Sequence, residues 1–106
     1  MIERVELPIN VRDAREGRRW FFDILGIAFG ENDRAHVNGV VLALFAFPDV
    51  RPCSHVVMQI VTDDLVTTHR CLRERGADVS DIDDSNWNVI VTDPTGNRYA
   101  IYEPRA

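Results

Sequence analysis

The chain has 106 residues, 45% of them hydrophobic, and a formal net charge of −5 from 17 acidic and 12 basic residues. That length suits one domain with a real core, and the acidic balance counts against nucleic acid while suiting a cationic ligand. No apolar run approaches the roughly 20 residues of a membrane span, Met1-Ile2-Glu3-Arg4 does not open a signal peptide, and Cys53 and Cys71 make neither a disulfide framework nor a metal spacing, so a cytoplasmic setting is expected.

Val5 to Val11 reads as a strand, after which Asp13-Ala14-Arg15-Glu16 resembles a capping box. Ala14, Gly17, Phe21, Ile24 and Leu25 recur at helical spacing, and Gly26 is placed to stop the helix. Short β-like runs come next at Ile27 to Glu31, Arg34 to Val37 and Val40 to Phe47. The segment Phe47-Pro48-Asp49-Val50-Arg51-Pro52 is the natural linker, since its two prolines end the strand and stiffen the connection.

The order then repeats. Val56 to Val61 is a strand, Asp63 or Asp64 caps, Leu65, His69 and Leu72 form a stripe, and Gly76 terminates. Further runs are predicted at Asp78 to Ile82, Trp87 to Thr92 and Arg98 to Tyr102. Between the last two stands Asp93-Pro94-Thr95-Gly96-Asn97. Pro94 presets φ, Gly96 supplies a positive φ, and Asp93 can accept from the amides ahead of it. The reading is an α+β fold of tandem βαβββ modules. Module one covers about 1–47, the linker 48–54 and module two about 55–106, together forming a single domain.

Three motifs, in this order, resemble the vicinal oxygen chelate superfamily (the glyoxalase, bleomycin-resistance and extradiol dioxygenase fold). They are the helix ending Arg19-Trp20-Phe21-Phe22-Asp23-Ile24-Leu25-Gly26, the second helix from Asp64-Leu65 to Arg75-Gly76, and the closing hairpin. The resemblance implies a U-shaped mixed sheet trough with helices outside, completed in many relatives by a homodimer. It also implies, for catalytic members, a divalent metal held by His and Glu from four strands. In this chain those positions fall at Glu6, Ala43 and Ala100, with His55 one residue from the fourth, which counting from Asp63 makes Val56. Two alanines in place of carboxylates leave Glu6 and His55 as degenerate candidates. No cofactor is therefore expected, with a divalent metal as the alternative.

Period-2 alternation places Glu6, Pro8 and Asn10, Ala43 and Phe45, and Arg98, Ala100 and Tyr102 on trough-facing sides. Trp87, beside the acidic run Asp78, Asp81, Asp83 and Asp84, could stack on a flat or cationic ligand. Glu6, Asn10, Phe45, Trp87, Arg98 and Tyr102 are thus the ligand-binding candidates. The equal alternative makes Phe45 and Tyr102 core or interface residues. His69 reads as a core histidine and His36 as a surface one. The expected function is a non-catalytic small-molecule binder similar to bleomycin-resistance proteins, taking a cationic or aromatic ligand. One alternative is a glyoxalase-like lyase, isomerase or dioxygenase with Glu6 as its only candidate base. A second is a dimeric interaction module whose trough is filled.

Overall fold

Each helix begins at an aspartate. The computed structural model describes residues 1–105. In it Asp13 adopts an extended backbone and accepts the Glu16 amide at 2.8 Å, opening α1 at Ala14–Trp20. Glu16 turns its carboxylate to Arg12, at 2.8 and 3.0 Å. The helix then widens into a π turn over Phe21–Leu25 and stops at Gly26, whose φ of 69° is left-handed. Asp64 caps α2 (Leu65–Glu74) in the same way, accepting the Thr67 amide at 3.0 Å. Gly76, with φ 79°, closes it. The Ala77 amide bonds Leu72 O and the Gly76 amide bonds Arg73 O, so the freed carbonyls are satisfied.

The chain forms two compact units, Met1–Pro52 and Cys53 onward. The first holds β1 (Glu6–Val11), β2 (Arg34–Val37) and β3 (Val40–Ala46), in the order β1-β3-β2. β1 runs parallel to β3 and β2 antiparallel to it, so the sheet is mixed. Ile9, Val11, Leu42, Leu44, Phe21 and Ile24 are buried. Gly17 lets the helix approach closely, since a methyl group there would stand 3.3 Å from Val11 Cγ2.

The second unit holds β4 (Val56–Val61), β5 (Asp78–Val79), β6 (Asn88–Thr92) and β7 (Arg98–Tyr102), in the order β4-β7-β6-β5. β4 and β7 are parallel and the other pairs antiparallel. Leu65, Leu72, Val89, Val91, Tyr99 and Ile101 are its buried set. No helix among the described residues is long and apolar enough to cross a membrane.

The α+β class and the two mixed sheets agree with the sequence reading, with three local corrections. Ile27 to Glu31 pairs with no strand among the described residues, leaving the first unit with three strands. The chain instead turns back on itself: the Gly30 amide bonds Arg34 O and the Asp33 amide bonds Gly30 O. Asp33 has a φ of 58° and is tied to Arg18 at 2.6 Å. The run Asp78 to Ile82 forms a strand only over Asp78–Val79: the Ser80 amide still bonds Ile90 O, but the Ile90 amide goes to the Ser80 hydroxyl and not to a backbone carbonyl. Trp87 does not start β6. Its φ is 52°, and it closes a turn in which Asp83 Oδ1 accepts the amides of Ser85 and Asn86.

The hairpin between β6 and β7 is held by one carboxylate. Asp93 Oδ1 accepts the amides of Thr95, Gly96 and Asn97 at 2.9, 3.0 and 3.0 Å. Oδ2 accepts the Tyr99 hydroxyl at 2.8 Å. Burial, and secondarily the Asp93 charge, push the Tyr99 phenol far above the ordinary tyrosine range.

Candidate functional site

In the first unit, strand register brings Glu6 and Asn10 from β1, Ala43 and Phe45 from β3, and Arg34 from β2 onto the face opposite Ile9, Leu42 and Leu44. The parity expected for Glu6, Asn10, Ala43 and Phe45 is therefore observed. At its centre lies a pair that joins the two outer strands. Arg34 Nε stands 3.0 and 3.1 Å from the two carboxylate oxygens of Glu6. Its Nη1 donates to Asn32 O at 3.1 Å, and its guanidinium carbon lies 5.3 Å from the centre of the Phe45 ring.

β1 and β2 flank β3, so their separation is about 10 Å, which an arginine and a glutamate can bridge together. Ala43 permits the bridge. It pairs with Arg34 in register and is fully buried, and its methyl group leaves the guanidinium room to cross β3. Arg4 Nε adds a second contact to Glu6 at 2.9 Å. The Arg34 hydrogen bond, aided by Arg4, holds the Glu6 carboxyl below its ordinary value.

That shift has a defined sign. A carboxyl depressed in the folded state contributes stability that is complete above its unfolded value of 4.5 and is lost as pH falls through the folded one. Glu6→Gln is expected to lose less Tm than the parent chain between about pH 5 and about pH 3. Thermal melts across that range measure it, and identical acid limbs would show that the pair does not form in solution. The loss that remains belongs in part to Asp64 and Asp83, whose carboxyls backbone amides also hold low.

In the second unit, Arg98, Ala100 and Tyr102 point away from the buried Tyr99 and Ile101, beside Gln59 of β4 and Ile90 of β6. Arg98 Nη2 donates to Ser54 O at 2.9 Å. Trp87 uses both its ring and its N–H within the chain: Arg105 lies 4.2 Å over the ring, and Nε1 meets Glu103 Oε2 at 3.4 Å. Glu103 Oε1 also accepts the Leu65 amide at the start of α2. His69 is half-buried and not the core histidine expected, because its ring reaches the edge of the unit, where Nε2 lies 3.0 Å from Ser80 O. β4 carries an irregularity between Val56 and Met58, and this places Val56 opposite Arg98, two residues before Ala100. Glu6 likewise stands opposite Val41, two residues before Ala43, so Val56 is its counterpart. His55 lies outside the strand and is exposed.

No family model and no curated protein matches the chain in sequence. Solved structures do match it. An antibiotic-binding protein, TnmS3, from a Streptomyces species superposes with a TM-score of 0.76 over 99% of both chains at 20% identity. A glyoxalase/bleomycin resistance protein/dioxygenase superfamily member from Sphaerobacter thermophilus gives 0.72 over 98% of both at 19%. This chain has the vicinal oxygen chelate fold. The trypanothione-dependent glyoxalase I of Leishmania major shares that fold at 0.69 and 18% identity, over 95% of this chain and 87% of the enzyme.

Metal chemistry is common on the vicinal oxygen chelate fold, so the donor set decides whether an ion fits here. Ala43 and Ala100 offer methyl groups, Val56 offers an isopropyl group, and Glu6 is already bound by two guanidinium groups. No group of three or more His, Cys, Asp or Glu side chains among the described residues is arranged to hold an ion. These residues do not fit the divalent metal of the catalytic members. Sequence reasoning missed Arg34, although a signal for it was present. Asn38 and Gly39, with φ of 47° and 83°, form a two-residue turn that pairs Val37 with Val40. Counting back from that pair sets Arg34 opposite Ala43.

Proposed function

We propose that the protein is a non-catalytic binder of a small, largely aromatic molecule, which it holds without a metal against the open faces of its sheets. The observation that supports this most is the Arg34–Glu6 pair over Ala43. It occupies the carboxylate that a metal or a proton-transfer step would need. A carboxylate held low by two guanidinium groups is also poorly matched to general-base work near neutral pH. Phe45, 39% exposed, and the half-buried Tyr102 supply aromatic surface for a ligand. The antibiotic-binding neighbour supports sequestration as the role. A homodimer belongs to this reading, because β1, β2, β4 and β5 end their sheets as edges that a second copy can cover.

Thermal melts of metal-free protein test the reading. Zinc, nickel or manganese ions are expected to leave Tm unchanged, while a member of an aromatic antibiotic and metabolite panel raises it. Saturation at about 100 times Kd adds about 2.7 kcal/mol, a shift of several degrees for a chain of this size. A stoichiometric divalent ion that raises Tm would overturn the metal-free reading. A panel without a single shift would overturn the binder.

A further inference from the structure

Resting on that reading, we propose that Arg34 makes the open face of the first sheet an anion receptor. Its ligand is then a planar molecule bearing a carboxylate or similar oxyanion, with the ring against Phe45 and the oxygens on the guanidinium. The overall charge of −5 points the other way, toward a cation, but charge acts over about 10 Å at moderate salt, so the local groups decide. Locally Arg34 and Arg4 both pair with Glu6 and so cover its charge, and Glu3 is the other carboxylate lining the hollow beside Arg4 and Glu6.

A guanidinium carries five N–H donors in a planar fork. Arg34 uses Nε on Glu6 and one Nη1 hydrogen on Asn32 O, while Nη2 makes no hydrogen bond among the described residues. The side chain is 23% exposed, so this outer edge is held in place by Glu6 and Asn32 yet remains reachable. An arriving oxyanion finds the Nη2 donors on a guanidinium already oriented, which lowers the ordering cost of binding. An arriving cation meets two guanidinium groups, and the Glu6 carboxylate is already engaged by both. The guanidinium lies over the Phe45 ring at 5.3 Å, and the exposed remainder of that ring offers apolar surface to a flat ligand.

Calorimetry of the full chain with three probes of one shape, naphthoate, naphthamide and naphthylmethylammonium, tests the charge preference. Naphthoate is expected to bind about 10-fold or more tighter than the amide, as a charge-assisted bond implies, and the ammonium weakest. Arg34→Gln should bring naphthoate down to about the amide's affinity, with naphthoate losing several-fold more than the amide. Glu6→Gln removes the negative charge that competes for Arg34 and should tighten naphthoate about threefold or more, so the proposal stays testable if the Arg34 variant fails to fold. Equal affinity for all three, or a preference for the ammonium, overturns the anion receptor and leaves the small-molecule binder standing. Absence of naphthoate binding to the parent chain overturns the receptor as well, while the antibiotic panel judges the binder separately.

Discussion

Replacing Asp93 by alanine is expected to lower the unfolding free energy by about 3–5 kcal/mol. The carboxylate accepts three backbone amides and the Tyr99 hydroxyl, and it is only 6% exposed. Alanine takes that acceptor from the Thr95 and Asn97 amides and from the Tyr99 hydroxyl, in a place that water reaches poorly, while the Gly96 amide keeps the Asp93 carbonyl at 2.9 Å. Tyr99 is fully buried, so its hydroxyl loses the carboxylate where water cannot replace it, although it keeps its hydrogen bond with the Asn97 side chain. Two milder variants separate the contributions. Asp93→Asn keeps an oxygen for the amides and should cost about 1–2 kcal/mol. Tyr99→Phe removes one donor and should cost a similar amount. Urea denaturation midpoints measure all three. If Asp93→Ala came within about 0.5 kcal/mol of the parent chain, the turn would be held by Pro94, Gly96 and its backbone hydrogen bonds and not by the carboxylate.

Phe21→Ala should cost about 3–5 kcal/mol by opening a cavity at the end of the first helix. The ring has no exposed surface and meets Trp20 and Phe29 edge-on at 5.0 and 5.2 Å. Its carbonyl also receives the Ile27 amide, so the ring and backbone together fix the path of the chain out of the π turn. Phe22 is 62% exposed, and Phe22→Ala should stay within about 0.5 kcal/mol of the parent. Denaturation followed by Trp20 fluorescence reports both variants. Equal losses from the two phenylalanines would mean that the second ring is covered in solution.

The aromatic pair shows where a sequence reading reaches its limit. Helical spacing correctly set Phe21 inward and Phe22 outward. Two-residue spacing likewise found a face for Ile27 to Glu31: Ile27 and Phe29 are half-buried while Ala28 and Gly30 are exposed. Alternation names a face but not a neighbour, however, and here Phe29 packs on Phe21 while no strand pairs with the segment. Trp87 met the same limit. Its β-favouring side chain suggested a strand, but the Asp83 turn imposed a left-handed backbone on it. On the candidate site, the parity of Glu6, Asn10, Phe45, Arg98 and Tyr102 was legible, whereas what each one touches was not.

The sequence by itself determined the features that close within a few residues. These are the cap at Asp13, a second cap at Asp63 or Asp64 that proves to be Asp64, the stops at Gly26 and Gly76, the Asp93 hairpin, and the inward or outward sense of β1, β3 and β7. In each the donor, the acceptor and the backbone angle lie on one short stretch, so residue type and spacing suffice. Only the tertiary structure decided the contacts between distant segments: Arg34 with Glu6 across 28 residues, and Glu103 with Leu65 across 38. Those depend on β3 lying between β1 and β2, and on β7 ending beside the start of α2. Such neighbours are selected by burial and charge pairing summed over a whole unit. A local period carries no record of that sum, and so the residue at the centre of the candidate site emerged only once the strands were in order.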